Sequence, residues 1–201
     1  RNFNAVDWDD EGKQSAVFRF QGKEWNETVD RENGNFDYLM GANLDMYDPE
    51  VLGELKRWGR WYLDLTGVDG FRLDAVKHIR FTFFQEWLAD LRTSSGRTLP
   101  AVGEYWSAEL SRLLAYLDEC GRCASLFDVP LHFNFFQASV EGSAFDMASL
   151  RNGTLWSVEE ASAVTFVDNH DTQPGQALES WVQGWFKPLA YALILLQEGG
   201  T

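Results

Sequence analysis

An arginine and an aspartate, Arg72 and Asp74, stand two positions apart in the run Gly70-Phe71-Arg72-Leu73-Asp74. Side chains alternate across a strand, so these two would share one face, and the apolar Phe71 and Leu73 would point to the other. A neighbouring cation favours the ionised form of a carboxylate, and an ionised, positioned carboxylate is what a nucleophile in sugar chemistry requires. The motif by itself leaves a buried structural ion pair open as the alternative.

Two further carboxylates follow at regular intervals. Glu104 lies 30 residues after Asp74, and Asp171 lies 67 residues after Glu104. One unit of a β/α barrel averages about 30 residues, so the first gap corresponds to one unit and the second to about two. All three acids would then lie at the C-terminal ends of strands, where barrel active sites are built.

Carboxylates in this arrangement are typical of glycoside hydrolysis, which uses one as nucleophile or base and another as proton donor. Glu104 precedes two aromatic residues, Tyr105 and Trp106, and such an apolar setting favours the protonated carboxyl that a proton donor needs. His170 would place a hydrogen-bonding imidazole beside Asp171. Each of these residues alone could instead be a cap or a salt-bridge partner.

Helices and strands alternate from residue 48 onward. Asp48 is expected to cap a helix that carries apolar residues every three or four positions and ends at Gly67. A strand then leads to Asp74. Further helices are predicted at about 82–95, 107–119, 134–151 and 188–199, and further strands at 99–104, 124–129 and 163–169.

This alternation predicts an α/β fold, the central part of a (β/α)8 TIM barrel with about strands 4–7 and their helices. Residues 1–48 predict the end of an irregular, loop-rich subdomain, and residues 49–201 the partial barrel. A doubly wound open sheet would also fit the alternation, but no Gly-x-Gly-x-x-Gly phosphate turn occurs in the sequence. Because four strands cannot close an eight-stranded barrel, we expect the chain to be the middle of a longer polypeptide.

The charge of the chain limits its partners. Acidic residues outnumber basic ones 31 to 17, which gives a formal net charge of −14. Such a surface repels phosphate backbones, so nucleic acid is not an expected partner. The sequence holds no apolar run long enough to span a bilayer, so we expect no membrane partner either. Neutral ligands, and cations such as calcium, are compatible with this charge.

Three longer segments carry a family resemblance: GFRLDAVKH at residues 70–78, GEYW at 103–106 and FVDNHDT at 166–172. They resemble signature segments of the α-amylase family of glycoside hydrolases. The resemblance is closest to the branch of bacterial liquefying amylases and their intracellular bacterial and fungal relatives. The segments NGNFDYLM at 33–40 and WFKPLA at 185–190 extend it over essentially the whole chain.

The resemblance implies an endo-acting hydrolase of α-1,4-glucosidic bonds in starch- or glycogen-type glucans, working by retaining double displacement. Asp74 would be the nucleophile, Glu104 the general acid and then base, and Asp171 the third acid, which binds the ring hydroxyls. The residues expected to contact the glucan are Arg72, Lys77, His78, Trp106 and His170.

A calcium site is also implied, with Asp37, Asn43 and the backbone carbonyl of His78 as ligands. Positions 4, 26 and 43 are aspartates in the metal cluster of the secreted bacterial enzymes but asparagines here, and Tyr47 replaces another acid. Because fewer charges weaken divalent binding, we expect one calcium ion rather than a multi-metal cluster. The same pattern favours a cytoplasmic location over a secreted one.

Two other hypotheses stay open. A related α-glucan transglycosylase, or an oligosaccharide-forming amylase, would share the three acids. A non-catalytic amylase-like domain would keep the fold as a binding module. Such domains lose the acids, whereas here all three occur together with Arg72 and His170.

Overall fold

The computed structural model describes residues 2–26 and 37–197. Residues 33–36 of the NGNFDYLM segment, and the predicted helix end at residue 199, lie outside the described residues. The chain divides into two compact units. The first consists of the residues up to Ala101 together with Glu119–Cys123, and the second of Val102–Asp118 and the residues from Ala124 onward.

The first unit opens with an antiparallel sheet of three strands in the order β2-β1-β3. The strands are β1 (Phe3–Asp9), β2 (Gln14–Arg19) and β3 (Ala42–Leu44). We expected loops here. The strands escape prediction because Asn4 is fully buried beside Ala5 in β1, so no alternation of apolar and polar residues marks the buried face.

Helix α1 (Pro49–Thr66) begins and ends as predicted. The Asp48 carboxylate accepts the backbone N–H of Glu50 at 2.9 Å, which satisfies one of the donors that a helix start leaves unpaired. Gly67 closes the helix in the left-handed conformation, with φ at 65°, and its N–H donates to the Leu63 carbonyl at 2.9 Å.

A close contact joins α1 to helix α2 (Phe83–Ser95). The buried Trp87 of α2 lies against Gly59, where a Cβ atom would come within 2.7 Å of the indole ring. The indole N–H of Trp87 donates to the Leu55 carbonyl at 2.9 Å, and its ring meets Phe71 edge-on with centroids 5.1 Å apart. Trp87 thereby joins both α1 and the strand that leads to Asp74.

A second sheet has four strands in the order β4-β5-β6-β7. They are β4 (Phe71–Leu73), β5 (Ala101–Gly103), β6 (Ser125–Phe127) and β7 (Ala163–Val164). In the first unit the N–H of Phe71 donates to the Pro100 carbonyl at 3.0 Å. In the second unit β6 pairs in parallel with both β5 and β7, with Val102 opposite Ser125. Sequential parallel strands with helices between them are the arrangement that we predicted for part of a β/α barrel.

The remaining helices are α3 (Leu110–Glu119), α4 (Val129–Glu141), α5 (Leu155–Val158) and α6 (Lys187–Leu196). Helix α4 starts and ends earlier than the predicted 134–151. Gly142, with φ at 59°, ends it, and two short 3₁₀ turns, Gly142–Ala144 and Met147–Ser149, replace the predicted continuation. No helix within residues 2–26 and 37–197 is long and apolar enough to cross a membrane.

Asp128 explains the early start of α4. This fully buried carboxylate accepts backbone N–H groups from Leu131 at 3.2 Å, Leu155 at 3.1 Å and Trp156 at 2.8 Å. Burial raises the pKa of the Asp128 carboxyl, and the three N–H donors act against that shift. One side chain thus caps α4 and ties the start of α5 to it.

Candidate active site

Asp74 directly follows β4 and is ion-paired with Arg72, whose guanidinium donates to its carboxylate. Leu73, between them, is buried, so the predicted alternation of the strand is confirmed. The pair itself is not buried: 35% of the Arg72 side chain and 70% of the Asp74 side chain are exposed. The alternative of a buried structural ion pair is therefore wrong, and the Asp74 carboxylate is open to a ligand.

The backbone turns sharply after Asp74. Ala75 has φ at 45° and ψ at 42°, the left-handed region that costs a residue with a Cβ atom roughly 1–2 kcal/mol. A short 3₁₀ helix, Val76–His78, follows, and the N–H of His78 donates to the Ala75 carbonyl at 2.9 Å. Such strain clusters at functional sites. Lys77 and His78, two expected glucan contacts, lie on this turn and are only 7% and 6% exposed as whole residues.

Glu104, in the second unit, directly follows β5 and is only 6% exposed. The next residue, Tyr105, is also buried, and its ring centroid lies 5.3 Å from that of Tyr116 on α3. Glu104 is thus buried at the end of β5, next in the sequence to a buried aromatic residue.

Trp106 packs in an aromatic cluster of the second unit. Its ring centroid lies 5.5 Å from that of His132, 5.8 Å from that of Phe133 and 6.2 Å from that of Phe166. The side chain keeps an intermediate exposure, so part of the indole reaches the surface. This partly open aromatic face is compatible with the stacking on sugar that we expect of Trp106.

His170 and Asp171 lie in a segment after β7, residues 167–180, which we call the acid loop. The His170 Nε2 is 3.3 Å from an Asp171 carboxylate oxygen, and 35% of the Asp171 side chain is exposed. The Asp171 N–H donates to the Asn169 side chain at 2.9 Å, and its carbonyl accepts the Leu178 N–H at 3.2 Å. The backbone of Asp171 is thus held on both sides by its own loop.

Hydrogen bonds within the acid loop hold its backbone together, and they are made by residues that sequence reasoning missed. The Asn169 side chain accepts the Thr172 N–H, and the Thr172 hydroxyl accepts the Asn169 N–H, both at 3.0 Å. The Thr172 carbonyl accepts the N–H of Ser180 at 2.9 Å. An asparagine three positions before a threonine is a common turn signal and could have revealed this exchange.

An ion pair between Asp168 and Lys187 was also missed. The Lys187 ammonium lies 2.6 Å from Asp168 Oδ2, and Asp168 Oδ1 accepts the Val182 N–H at 3.1 Å. The same ammonium lies 3.1 Å from the centroid of the Trp181 ring, a cation–π contact. An aspartate that ends a buried apolar run needs a cation, which is the signal that could have found the pair.

The predicted calcium ligands Asp37 and Asn43 share one hydrogen-bond network in the first unit. The buried Asp37 carboxylate accepts the Asn4 amide at 2.9 Å and the Asn26 N–H at 2.8 Å. The Asn43 amide N–H in turn donates to the Asn4 side-chain oxygen at 2.7 Å. The third predicted ligand, the carbonyl of His78, belongs to the turn after Asp74.

A second acid, Asp45, is neutralised within the protein. Lys23 lies 2.7 Å from its carboxylate, which also accepts the Tyr47 N–H at 3.0 Å and the Asn26 amide at 3.3 Å. Burial raises the pKa of Asp45, but these donors outweigh it and lower the pKa overall. Across residues 2–26 and 37–197, no group of three or more His, Cys, Asp or Glu side chains is arranged to hold a metal ion.

Parallel strands whose ends carry acidic residues define a β/α-barrel type of protein, and comparison with known proteins gives the family. The model of the α-amylase catalytic domain matches residues 9–178, a range that includes Asp74, Glu104 and Asp171. The chain therefore belongs to the α-amylase family, which confirms the resemblance of its three segments.

Relatives and solved structures agree with this assignment. The chain is 55% identical over 201 residues to an alpha-amylase of Geobacillus stearothermophilus, covering 99% of this chain and 37% of the relative. It is 46% identical over 203 residues to a cytoplasmic alpha-amylase of Escherichia coli K12, covering 99% and 41%. The structure of alpha-amylase I from Eisenia fetida matches with a TM-score of 0.66 at 20% identity, over 89% of this chain and 39% of that one, and shows the same fold. The chain spans about two fifths of the length of these relatives.

Proposed function

We propose that the full-length protein is an endo-acting hydrolase of α-1,4-glucosidic bonds in starch- or glycogen-type glucans. The observation that carries this proposal is the family match over residues 9–178, which includes all three acids. The positions of Asp74 and Glu104 directly after β4 and β5 support it, because barrel enzymes take their catalytic groups from strand ends.

In the first step the Asp74 carboxylate attacks the anomeric carbon of the glucan. The bond from that carbon to the glycosidic oxygen breaks, and the carboxylic acid of Glu104 gives its proton to the departing oxygen. The exposed position of Asp74 suits attack on a bound ligand, and its ion pair with Arg72 orients the carboxylate. A covalent glycosyl-enzyme results.

In the second step Glu104, now ionised, takes a proton from water, and the water oxygen attacks the anomeric carbon and releases Asp74. Two inversions at one carbon leave the α configuration unchanged. Asp171 binds the ring hydroxyls and stabilises the distorted, positively charged sugar of the transition state. Lys77, His78 and Trp106 would contact the leaving-group side of the glucan, and His170 would donate to sugar hydroxyls.

The same acids serve a transglycosylase, so the proposal is tested first on its products. The full-length protein should release maltooligosaccharides from soluble starch, with the α configuration at the new reducing end in the first minutes. New branches or lengthened chains in place of shorter ones would show transfer instead of hydrolysis.

Replacement of Glu104 tests the assignment of roles. Glu104→Gln removes the proton donor and should lower kcat by about 10²–10⁴-fold, the usual contribution of a general acid. The matched control is Glu109→Gln, an exposed glutamate that pairs with Arg112 and should leave kcat unchanged. A Glu104→Gln enzyme with wild-type turnover would refute a catalytic role and favour the non-catalytic hypothesis.

We further propose one calcium ion, held by Asp37, Asn43 and the His78 carbonyl. The donor chemistry fits, because a carboxylate and two neutral oxygens suit a hard cation, and the bond from Asn43 to Asn4 uses the Asn43 N–H and leaves its oxygen for the ion. Bound calcium would neutralise the buried Asp37 and fix the turn after Asp74. Titration calorimetry of the chelator-treated full-length protein should show one site, lost in Asp37→Asn and retained in the exposed control Asp10→Asn.

A cytoplasmic location is proposed as well. The asparagines at positions 4, 26 and 43 support it, as does the 46% identity to a relative named cytoplasmic alpha-amylase. Fractionation of cells that produce the full-length protein from its own gene should recover the activity in the cytoplasm. Recovery from the medium would contradict the proposal.

A further inference from the structure

A single buried histidine joins the two ends of the acid loop. His132, on α4, is fully buried, and its Nδ1 lies 2.6 Å from the carbonyl oxygen of Val167. Its Nε2 lies 2.8 Å from the hydroxyl of Ser180. Val167 and Ser180 are the first and last residues of the acid loop, so one imidazole ring bonds to both of its ends.

The partners of His132 define its protonation. A carbonyl oxygen only accepts hydrogen bonds, so Nδ1 carries the proton and donates to Val167. Burial lowers the pKa of His132, which favours the neutral ring, and the neutral Nε2 then accepts the Ser180 hydroxyl proton. The carboxylate of Asp168 acts in the opposite direction. The Ser180 hydroxyl also lies 2.8 Å from the Leu178 carbonyl, to which it donates when Nε2 of a protonated ring is itself the donor.

Aromatic neighbours fix the orientation of the imidazole. The ring of Phe166 stacks on it with centroids 5.1 Å apart and planes at 10°, and Phe133 lies edge-on at 5.3 Å. Trp106 closes a third side at 5.5 Å. A ring packed in this way presents its two nitrogens in fixed directions, so it can hold the loop ends at a fixed separation.

A short series of hydrogen bonds connects His132 to the third acid. Ser180, held by the imidazole, donates its N–H to the Thr172 carbonyl at 2.9 Å. Thr172 exchanges two hydrogen bonds with Asn169, whose side chain accepts the N–H of Asp171 at 2.9 Å. Displacement of Ser180 would therefore shift the position of Asp171 through these hydrogen bonds.

We propose that His132 is a positioning residue, which clamps the ends of the acid loop through Val167 and Ser180 and so aims Asp171 at the sugar ring. The inference rests on the proposed function and deepens it, because it concerns the same reaction. Since Asp171 acts most strongly on the distorted sugar of the transition state, a loosened loop should impair turnover more than substrate binding.

Two variants remove the same hydrogen bond from opposite sides. Ser180→Ala deletes the hydroxyl, and the shorter side chain of His132→Asn can keep its bond to Val167 but cannot reach Ser180. Each should lower kcat on soluble starch by about tenfold or more, with KM changed by less than about twofold, because small misplacements of a positioned group are costly. The double variant should be no worse than the more impaired single one, since partners in one bond are not additive and Ser180→Ala also removes the bond to the Leu178 carbonyl.

Controls separate positioning from plain destabilisation. Asn134→Ala, on the same helix, removes two side-chain bonds to the carbonyls of Leu150 and Asn152, outside the acid loop, and should leave kcat unchanged. Ser180→Thr keeps the hydroxyl and should restore most of the lost turnover. If thermal melting shows that His132→Asn does not fold, the turnover of Ser180→Ala and Ser180→Thr still tests the proposal.

The outcomes distinguish the two proposals. A full-length wild-type protein that does not hydrolyse starch, or a Glu104→Gln enzyme that does so normally, refutes the proposed function. A hydrolytic wild type whose Ser180→Ala and His132→Asn variants retain kcat within about twofold refutes the clamp alone. An equal loss of kcat in Asn134→Ala also refutes it, because general destabilisation would then be the cause.

Discussion

The ammonium nitrogen of Lys187 lies 2.6 Å from Oδ2 of Asp168, a carboxylate whose side chain is only 4% exposed. Lys187 begins α6, and Asp168 stands in the acid loop three residues before Asp171. The pair attaches the segment that carries the third acid to a helix, and its Asp168 carboxylate acts electrostatically on His132. Because the buried Asp168 carboxylate depends on this cation, we expect replacement of Lys187 to have a measurable effect on stability.

Replacement of Lys187 by methionine should destabilise the protein. The Asp168 carboxylate would stay buried without its cation, and the free energy of unfolding should fall by about 3 kcal/mol, the lower end of the range for broken buried pairs. The lower end applies because 21% of the Lys187 side chain is exposed. Urea denaturation of the full-length protein measures the change. Lys187→Arg keeps the charge and should lose much less; equal losses in both variants would contradict the electrostatic explanation.

Arg72 should matter for turnover far more than for stability. Its pair with Asp74 is exposed, so Arg72→Met should change the free energy of unfolding by less than about 1 kcal/mol. Loss of the group that orients the proposed nucleophile should lower kcat by about 100-fold. Arg60→Met is the matched control, because it removes another arginine–aspartate pair, with Asp90, away from the acids. Steady-state kinetics on soluble starch should show the loss only for Arg72; similar kcat values for both variants would remove Arg72 from the site.

Two glycines on α1 should respond to alanine in opposite directions. Gly59→Ala places a methyl group within 2.7 Å of the Trp87 ring and should lower the free energy of unfolding by about 1–3 kcal/mol through overpacking. Gly53 has no atom within 4 Å of an added Cβ, so Gly53→Ala should raise that free energy by about 0.5–1 kcal/mol. Thermal and urea unfolding of the two variants provide the measurement. A neutral Gly59→Ala would show that α1 and α2 can move apart freely.

The stability of the protein should fall on mild acidification because of His132. Its pKa is lowered from 6.5 in the folded state by burial, so the unfolded chain takes up this proton first as the pH falls. The contribution of the neutral ring is complete above pH 6.5 and is lost progressively below it, until the folded pKa is reached. The groups that oppose the shift are the Val167 carbonyl, which accepts the hydrogen bond from Nδ1, and the Asp168 carboxylate, whose effect is reduced by its own pair with Lys187.

Urea unfolding at pH 7.5 and pH 5.5 tests this pH dependence. The difference in unfolding free energy between wild type and His132→Asn should be larger at pH 7.5 than at pH 5.5. A difference that stays the same at both values would show that His132 does not titrate over this range.

Features that depend on neighbours in the chain were predicted well. The bounds of α1 follow from Asp48 and Gly67, which cap it through bonds to residues two and four positions away. The alternation from Phe71 to Asp74 is likewise local. The bounds of α4 were not predicted, because Asp128 starts it and also bonds to Trp156, 28 residues further on.

The first strands were missed for a related reason. The buried face of β1 carries Asn4, whose side chain bonds to Asp37, Asn43 and the Glu24 carbonyl, groups brought to it from elsewhere in the chain. A polar network of this kind looks like a loop in a sequence, because the apolar residues that usually mark a strand are replaced by hydrogen-bonding ones.

The sequence by itself determined the identity and order of the acids, the residues that cap the ends of α1, and the family to which the chain belongs. All of these reside in residue types and short spacings. Only the tertiary structure decided that the Arg72–Asp74 pair is exposed, that Lys77 and His78 are buried, and that His132 reaches Val167 and Ser180, 35 and 48 residues away. Burial and long-range hydrogen bonds arise when distant segments pack together, so no local pattern of residues can specify them.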